Sequence, residues 1–201
     1  MELVQDATLR VPNKNQRAVC RQADCAYTGD ISVPMLLEHG VQYVIIGHSE
    51  RRAYFNELDR TVNLKVKTAL AHGMTPIVAV GETLEERDAG RTDERVISQT
   101  REALDAVSDA DIERIVMAYE PIWAIGTGHN CDPAEANRVM AAIRHCIPAL
   151  ATVPILYGGS MKPENVASYM AQPNINGGLV GGASLDAAGF ATLIRNTGAH
   201  A

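Results

Sequence analysis

From residue 41 onward the chain alternates short apolar runs with longer amphipathic stretches. The runs are VQYVII (41–46), TPIVAV (75–80), RIVMAY (114–119), VPILY (153–157) and INGGLV (175–180). Their continuous apolar character marks strands covered on both faces. Between them the period becomes helical. In DRTVNLKVKTALAHG, Val62, Val66, Ala69 and Leu70 share a face, and in ERVISQTREALDAV the face holds Val96, Ile97, Thr100, Ala103, Leu104 and Val107. PAEANRVMAAIRHCI puts Pro133 at the first helical position with Asp132 as N-cap, and DAAGFATLIRN supplies a last helix. Five strand–helix units predict an α/β protein with a parallel sheet closed over by its crossovers.

Glycine and polar clusters follow every strand: Gly47-His48-Ser49-Glu50, Gly81-Glu82, Glu120, Gly158-Gly159-Ser160 and Gly181-Gly182. Functional groups at strand C-termini suit either a doubly wound sheet or a (β/α)8 barrel. No GxGxxG opens a helix and no GxxxxGK[ST] occurs, which weakens dinucleotide and P-loop readings.

Residues 1–25 break the pattern. VPNKNQRAVCRQADC offers no clear strand, so 1–25 is read as an irregular segment ahead of one domain over 26–201. Composition narrows the rest. A net charge of -6 argues against nucleic acid as the main partner, yet backbone amides can still make a local anion site. Neither a signal peptide nor a membrane-length apolar run is present in the sequence, which places the protein in the cytoplasm. Cys20, Cys25, Cys131 and Cys146 form no CxxC pair and read as free thiols. The HSE at 48–50 lacks the P-C-x-x-C of a zinc deaminase, and no metal or cofactor is implied.

Two side chains stand out. Glu120 ends the apolar run IVMAY, where desolvation strengthens a carboxylate as a base; Pro121 stiffens the chain beyond it, and AIGTG can swing as a lid. His48 precedes a helix starting near Ser49, and a positive helix end favours the neutral imidazole, which can donate a hydrogen bond without bringing charge. Each has a plainer alternative, a solvated loop acid and a structural histidine. The paired glycines of YGGS and LVGGASL, with Ser160, follow the last two strands and fit a phosphate cradle.

Taken together, YVIIGHSERR, AYEPIWAIGTG, ILYGGSMKPEN and LVGGASL, in this order and spacing, resemble the triosephosphate isomerase family over about residues 26 to 197. AYTGDIS at 26–32 resembles that family's dimer-contact loop. The resemblance implies an incomplete TIM (β/α)8 barrel: the last five βα units are recognisable, and the first three are missing or degenerate. It implies an aldose–ketose isomerase of glycolysis and gluconeogenesis that interconverts glyceraldehyde 3-phosphate and dihydroxyacetone phosphate. Glu120 becomes the proton-moving base and His48 the neutral electrophile, a division of roles known for that family rather than read from this chain. Ile125, Gly126 and Thr127 become the lid tip, as is likewise known for the family. Gly126, Ser160, Gly181 and Gly182 become substrate-binding residues. Glu50 becomes a neighbouring carboxylate. A homodimer through the Thr28 loop is implied, with no nucleic acid or membrane partner.

The family's Asn-x-Lys-x-Asn strand has no counterpart. Lys14, in NKN at 13–15, stands too close to His48 to lie three βα units upstream. The chain is therefore expected to be an N-terminally truncated isomerase, loosely folded and weak in turnover for want of that lysine. Two further expectations stay open: a non-catalytic phosphate-binding remnant, and an isomerase of a four-carbon sugar phosphate.

Overall fold

All five predicted strands form, in a computed structural model that describes residues 4–5, 20, 30–125 and 129–198. In chain order the elements are β1 (Val4–Gln5), α1 (Val33–Glu38), β2 (Tyr43–Ile46), α2 (Ser49–Phe55), α3 (Asp59–Ala71) and β3 (Thr75–Val80). Then come α4 (Leu84–Asp88), α5 (Thr92–Ala103), α6 (Asp109–Ile112), β4 (Val116–Tyr119), α7 (Pro133–His145), β5 (Ile155–Tyr157), α8 (Val166–Met170), β6 (Gly177–Val180) and α9 (Ala187–Asn196). Asp132 caps α7 as expected, accepting from the amides of Ala134 and Glu135.

Strand order decides between the two α/β architectures left open above. The sheet runs β1-β6-β5-β4-β3-β2, with every pairing parallel. From β2 to β6 neighbours in sequence are neighbours in space, without the reversal that defines a doubly wound sheet. This is the arc of an incomplete (β/α)8 barrel.

The two faces of the arc are covered differently. Val44, Ile46, Val78, Val80, Met117, Tyr119, Ile155 and Tyr157 pack with helix residues such as Val62, Val66, Val96, Val139 and Ile143. The opposite face, Ile77, Ala79, Val116, Ala118, Leu156 and Leu179, forms a second cluster made of strand residues alone, as the inside of a barrel must be. Alternation explains the split, since residues two apart along a strand share a face.

Three expectations need revision or concern residues outside those described. Val4–Gln5, in the segment read as irregular, forms a short strand in register with Leu179 and Val180 of β6. A strand that short carries no periodicity, so nothing local marks it. Cys20, expected as a free thiol, is buried and disulfide-bonded; Cys131 and Cys146 are free. Spacing alone could not reveal that, because a disulfide needs only close approach in space. Lys14, Cys25, Thr28, Gly126 and Thr127 lie outside the described residues.

Candidate active site

Glu120 continues the inward-facing row of β4, two residues after Ala118 and four after Val116. That parity sends its carboxylate to the barrel side at the C-terminal end of the strand. Its neighbours at that level are both glycine. One step beyond the Val80↔Tyr119 pair lies Gly81, and one step beyond Tyr119↔Tyr157 the same level holds Gly158. A Cβ on Gly81 would sit 1.8 Å from the Glu120 carbonyl oxygen, and one on Gly158 would sit 2.9 Å from the Glu120 Cγ. These glycines make room for the acid. Sequence reasoning assigned the YGGS glycines to ligand approach; for Gly158 the structure gives a nearer reason.

The carboxylate is 2% exposed and both of its oxygens are held. Oε2 accepts the Ser49 amide at 2.9 Å, and Oε1 lies 2.9 Å from His48 Nε2. Each oxygen of this buried side chain therefore has a polar partner. His48 is the N-cap of α2, and its Nδ1 accepts the Glu50 amide at 3.2 Å. An accepting Nδ1 carries no proton, so the proton sits on Nε2 and the ring is neutral while it faces Glu120. The expected helix-terminus histidine is thus in place, with its tautomer set by the amide of the following turn.

Around this pair opens a cavity of about 470 Å³. Its lining includes Arg51, Ile125, Ser160, Lys162, Gly181 and Gly182 together with His48 and Glu120. The structure therefore brings together every described residue of the sequence-derived site. Gly181 and Gly182 are exposed, and a Cβ on either would meet nothing within 4 Å. No protein atom requires those glycines, and the room they leave faces the cavity. The carbonyl of Ser160 is fixed by Asn165 Nδ2 at 3.3 Å, and Asn165 Oδ1 takes the Lys162 amide at 2.8 Å. Arg51 and Lys162 line the pocket but were not singled out from sequence, because a lone cation between strands and helices carries no signal of its own.

Behind the root of the AIGTG run lies Glu82, fully buried. Its Oε1 accepts from Trp123 Nε1 at 2.8 Å and from the Tyr119 hydroxyl at 3.1 Å, and the Arg87 guanidinium stacks 4.4 Å from the Trp123 ring centroid. Burial raises the Glu82 pKa above the ordinary carboxylate range, against those two hydrogen bonds. Burial likewise raises Tyr119, with the Glu82 charge adding to it.

Comparison with known proteins agrees with this geometry. A family model described as "Triosephosphate isomerase" matches residues 4–197, beginning well ahead of the motif-bearing stretch. The triosephosphate isomerase of Caldanaerobacter subterraneus subsp. tengcongensis is 55% identical over 176 residues, covering 85% of this chain and 71% of the relative. The triosephosphate isomerase of Nostoc sp. is 55% identical over 170 residues, covering 85% and 69%. That of Chloroflexus aurantiacus is 50% identical over 199 residues, covering 96% and 78%.

Proposed function

The chain belongs to the triosephosphate isomerase family, and from that premise we propose that its pocket interconverts glyceraldehyde 3-phosphate and dihydroxyacetone phosphate. The observation that carries the reading is the contact of His48 Nε2 with Glu120 Oε1, inside a pocket that Ser160, Gly181 and Gly182 also line.

Glu120 takes a proton from the carbon beside the substrate carbonyl. The released electron pair forms a carbon–carbon double bond, and negative charge develops on the carbonyl oxygen. His48 Nε2–H is the donor for that oxygen; because the ring is neutral, it stabilises the enediolate without adding a cation to the resting site. Return of the proton from Glu120 to the neighbouring carbon, with the hydroxyl proton passing across to the former carbonyl oxygen, completes the exchange of aldose and ketose. Burial of Glu120 keeps water from the intermediate. The phosphate is held by Ser160 and by the backbone at Gly181 and Gly182, with Gly126 of the lid as a further donor. The family reading also carries a homodimer through the Thr28 loop, which sedimentation of the purified chain tests.

The decisive experiment follows deuterium uptake from D2O into dihydroxyacetone phosphate, alongside a coupled assay of isomerisation. Loss of a general base lowers such rates by roughly 10²–10⁴-fold. Glu120→Gln should lose that much, and Glu120→Asp should also slow sharply because the carboxylate retreats from the carbon. Unchanged exchange in both variants rules Glu120 out as the base. Phosphate binding without exchange in the unaltered chain favours the non-catalytic phosphate-binding reading.

A further inference from the structure

Gly47 links β2 to His48, and both of its backbone polar groups are taken by charged side chains from below the site. Its N–H donates to Glu57 Oε1 at 2.7 Å, and its carbonyl accepts Arg52 Nε–H at 2.6 Å. Glu57 is 5% exposed, and its other oxygen lies 2.5 Å from Lys65 Nζ, itself 7% exposed. Arg52 reaches further: one terminal nitrogen pairs with Asp59, and the other donates to the Ala79 carbonyl at 3.3 Å. One guanidinium thus ties the end of β2 to the end of β3. Gly47 itself has φ +79, and a Cβ there would lie 2.9 Å from the Ala79 oxygen and 3.2 Å from Val62 Cγ2. The turn that carries His48 is gripped from every side.

Stability alone is a poor account of this cluster. Buried ion pairs rarely outperform well-packed apolar side chains of the same volume, because desolvation consumes most of the attraction. What charged groups supply here is direction. Two hydrogen bonds on one peptide, each from a side chain with its own partner, fix where the next residue starts. The His48 ring needs such a base: its side chain is 28% exposed, and the Glu50 amide holds its Nδ1 at a lengthy 3.2 Å.

We infer that Glu57 and Arg52 are positioning residues: they clamp the Gly47 peptide so that the His48 imidazole meets Glu120, and Lys65 keeps Glu57 in place. The inference rests on the reading of His48 given above, but its readout does not need turnover. Burial by itself would push the Glu57 carboxyl up; the Lys65 ammonium, its hydrogen bond, the Gly47 amide and Arg51 together hold it below the ordinary range, so it stays an anion and a strong acceptor.

The test compares Glu57→Gln/Lys65→Met with Glu57→Leu/Lys65→Met by NMR of 15N-histidine-labelled protein. Both pairs remove the ion pair, and only the first keeps an acceptor for the Gly47 amide. The Gln pair should retain the His48 pattern of unprotonated Nδ1 and protonated Nε2, with the Glu50 amide signal in place. The Leu pair should show a mixed tautomer and a moved Glu50 amide; where turnover is measurable, kcat should fall by on the order of tenfold with KM little changed. A Leu pair with unaltered His48 signals overturns the inference. If that pair does not fold, Arg52→Lys decides, since an ammonium cannot span the Gly47 and Ala79 carbonyls together; unaltered His48 signals in it are equally fatal. In the unaltered protein the Gly47 amide should exchange slowly with solvent, and exchange at a loop rate overturns the clamp without any variant. Failure of the isomerase reading appears separately, as absent deuterium uptake with these signals intact.

Discussion

Replacing Gly81 with alanine adds a single methyl group at the most crowded point of the site. The methyl carbon would stand 1.8 Å from the Glu120 carbonyl oxygen, 2.7 Å from its carbonyl carbon and 3.3 Å from its Cα. All three are backbone atoms, so no side chain can rotate out of the way. Methyl contacts below 3.0 Å essentially never occur, so the ends of β3 and β4 must part by about 1.2 Å. Two hydrogen bonds resist: the Glu120 amide to the Val80 carbonyl at 2.8 Å, and the Gly81 amide to Gln99 Oε1 at 2.8 Å. Overpacking of this kind costs roughly 1–3 kcal/mol, and a clash confined to backbone belongs at or above the upper end. The chemistry suffers as well, because a base displaced by about 1 Å loses on the order of 10²-fold in rate. Urea unfolding of Gly81→Ala beside the parent, with deuterium uptake on both, measures the two effects. Gly158→Ala is the internal comparison: its methyl meets the Glu120 Cγ at 2.9 Å and the Tyr119 carbonyl oxygen at 3.2 Å, far milder than 1.8 Å, so it should unfold nearer the parent while still perturbing exchange. A Gly81→Ala protein with the parent's urea midpoint and an unmoved Glu120 would refute the reasoning.

Gly182→Ala should leave stability within about 0.5 kcal/mol, because its methyl points into open space; it should still weaken binding of inorganic phosphate, and titration showing unchanged affinity would remove Gly182 from the cradle. Glu82→Gln should gain stability over the parent as pH rises. Burial raises the Glu82 pKa in the folded state, so its contribution is full below the ordinary carboxylate range and is lost as pH climbs through the raised value. A glutamine pays no such penalty and keeps an acceptor for Trp123 and Tyr119. Denaturation at pH 5 and pH 8 should show the difference growing in favour of glutamine, and a constant difference would contradict the assignment.

Much of the fold is legible before any coordinates. TPIVAV at 75–80 becomes β3 residue for residue, and the other four runs each contain their strand because local apolar continuity is what a doubly covered strand requires. The motifs around His48, Glu120, Ser160 and Gly181 are equally readable, since each follows a strand and sits at one end of the sheet. Where local pattern fails, a long-range partner is responsible. Nothing in the local sequence of α3 marks Lys65 and Asn63 as inside, yet both are buried, one against Glu57 and the other donating to the Ala103 and Asp105 carbonyls at 3.0 and 2.9 Å. A polar residue can go inside only if its partners are waiting there, and those partners lie up to 42 residues away.

Sequence by itself determined the class of the protein, its parallel strands, their order along the chain and the residue types at the strand ends. These follow from periodicity, capping and turn chemistry, all of which act over a few neighbouring residues. Only the tertiary structure decided that the strands lie in unbroken spatial succession, that Ser49 and Glu120 meet across 71 residues, and that Gly81 and Gly158 flank the acid as spacers. It alone also decided the tautomer of His48 and the grip of Glu57 and Arg52 on Gly47. Register and packing set these contacts by closing distances between segments that no local pattern relates, so candidate residues could be named from the chain while their geometry could not.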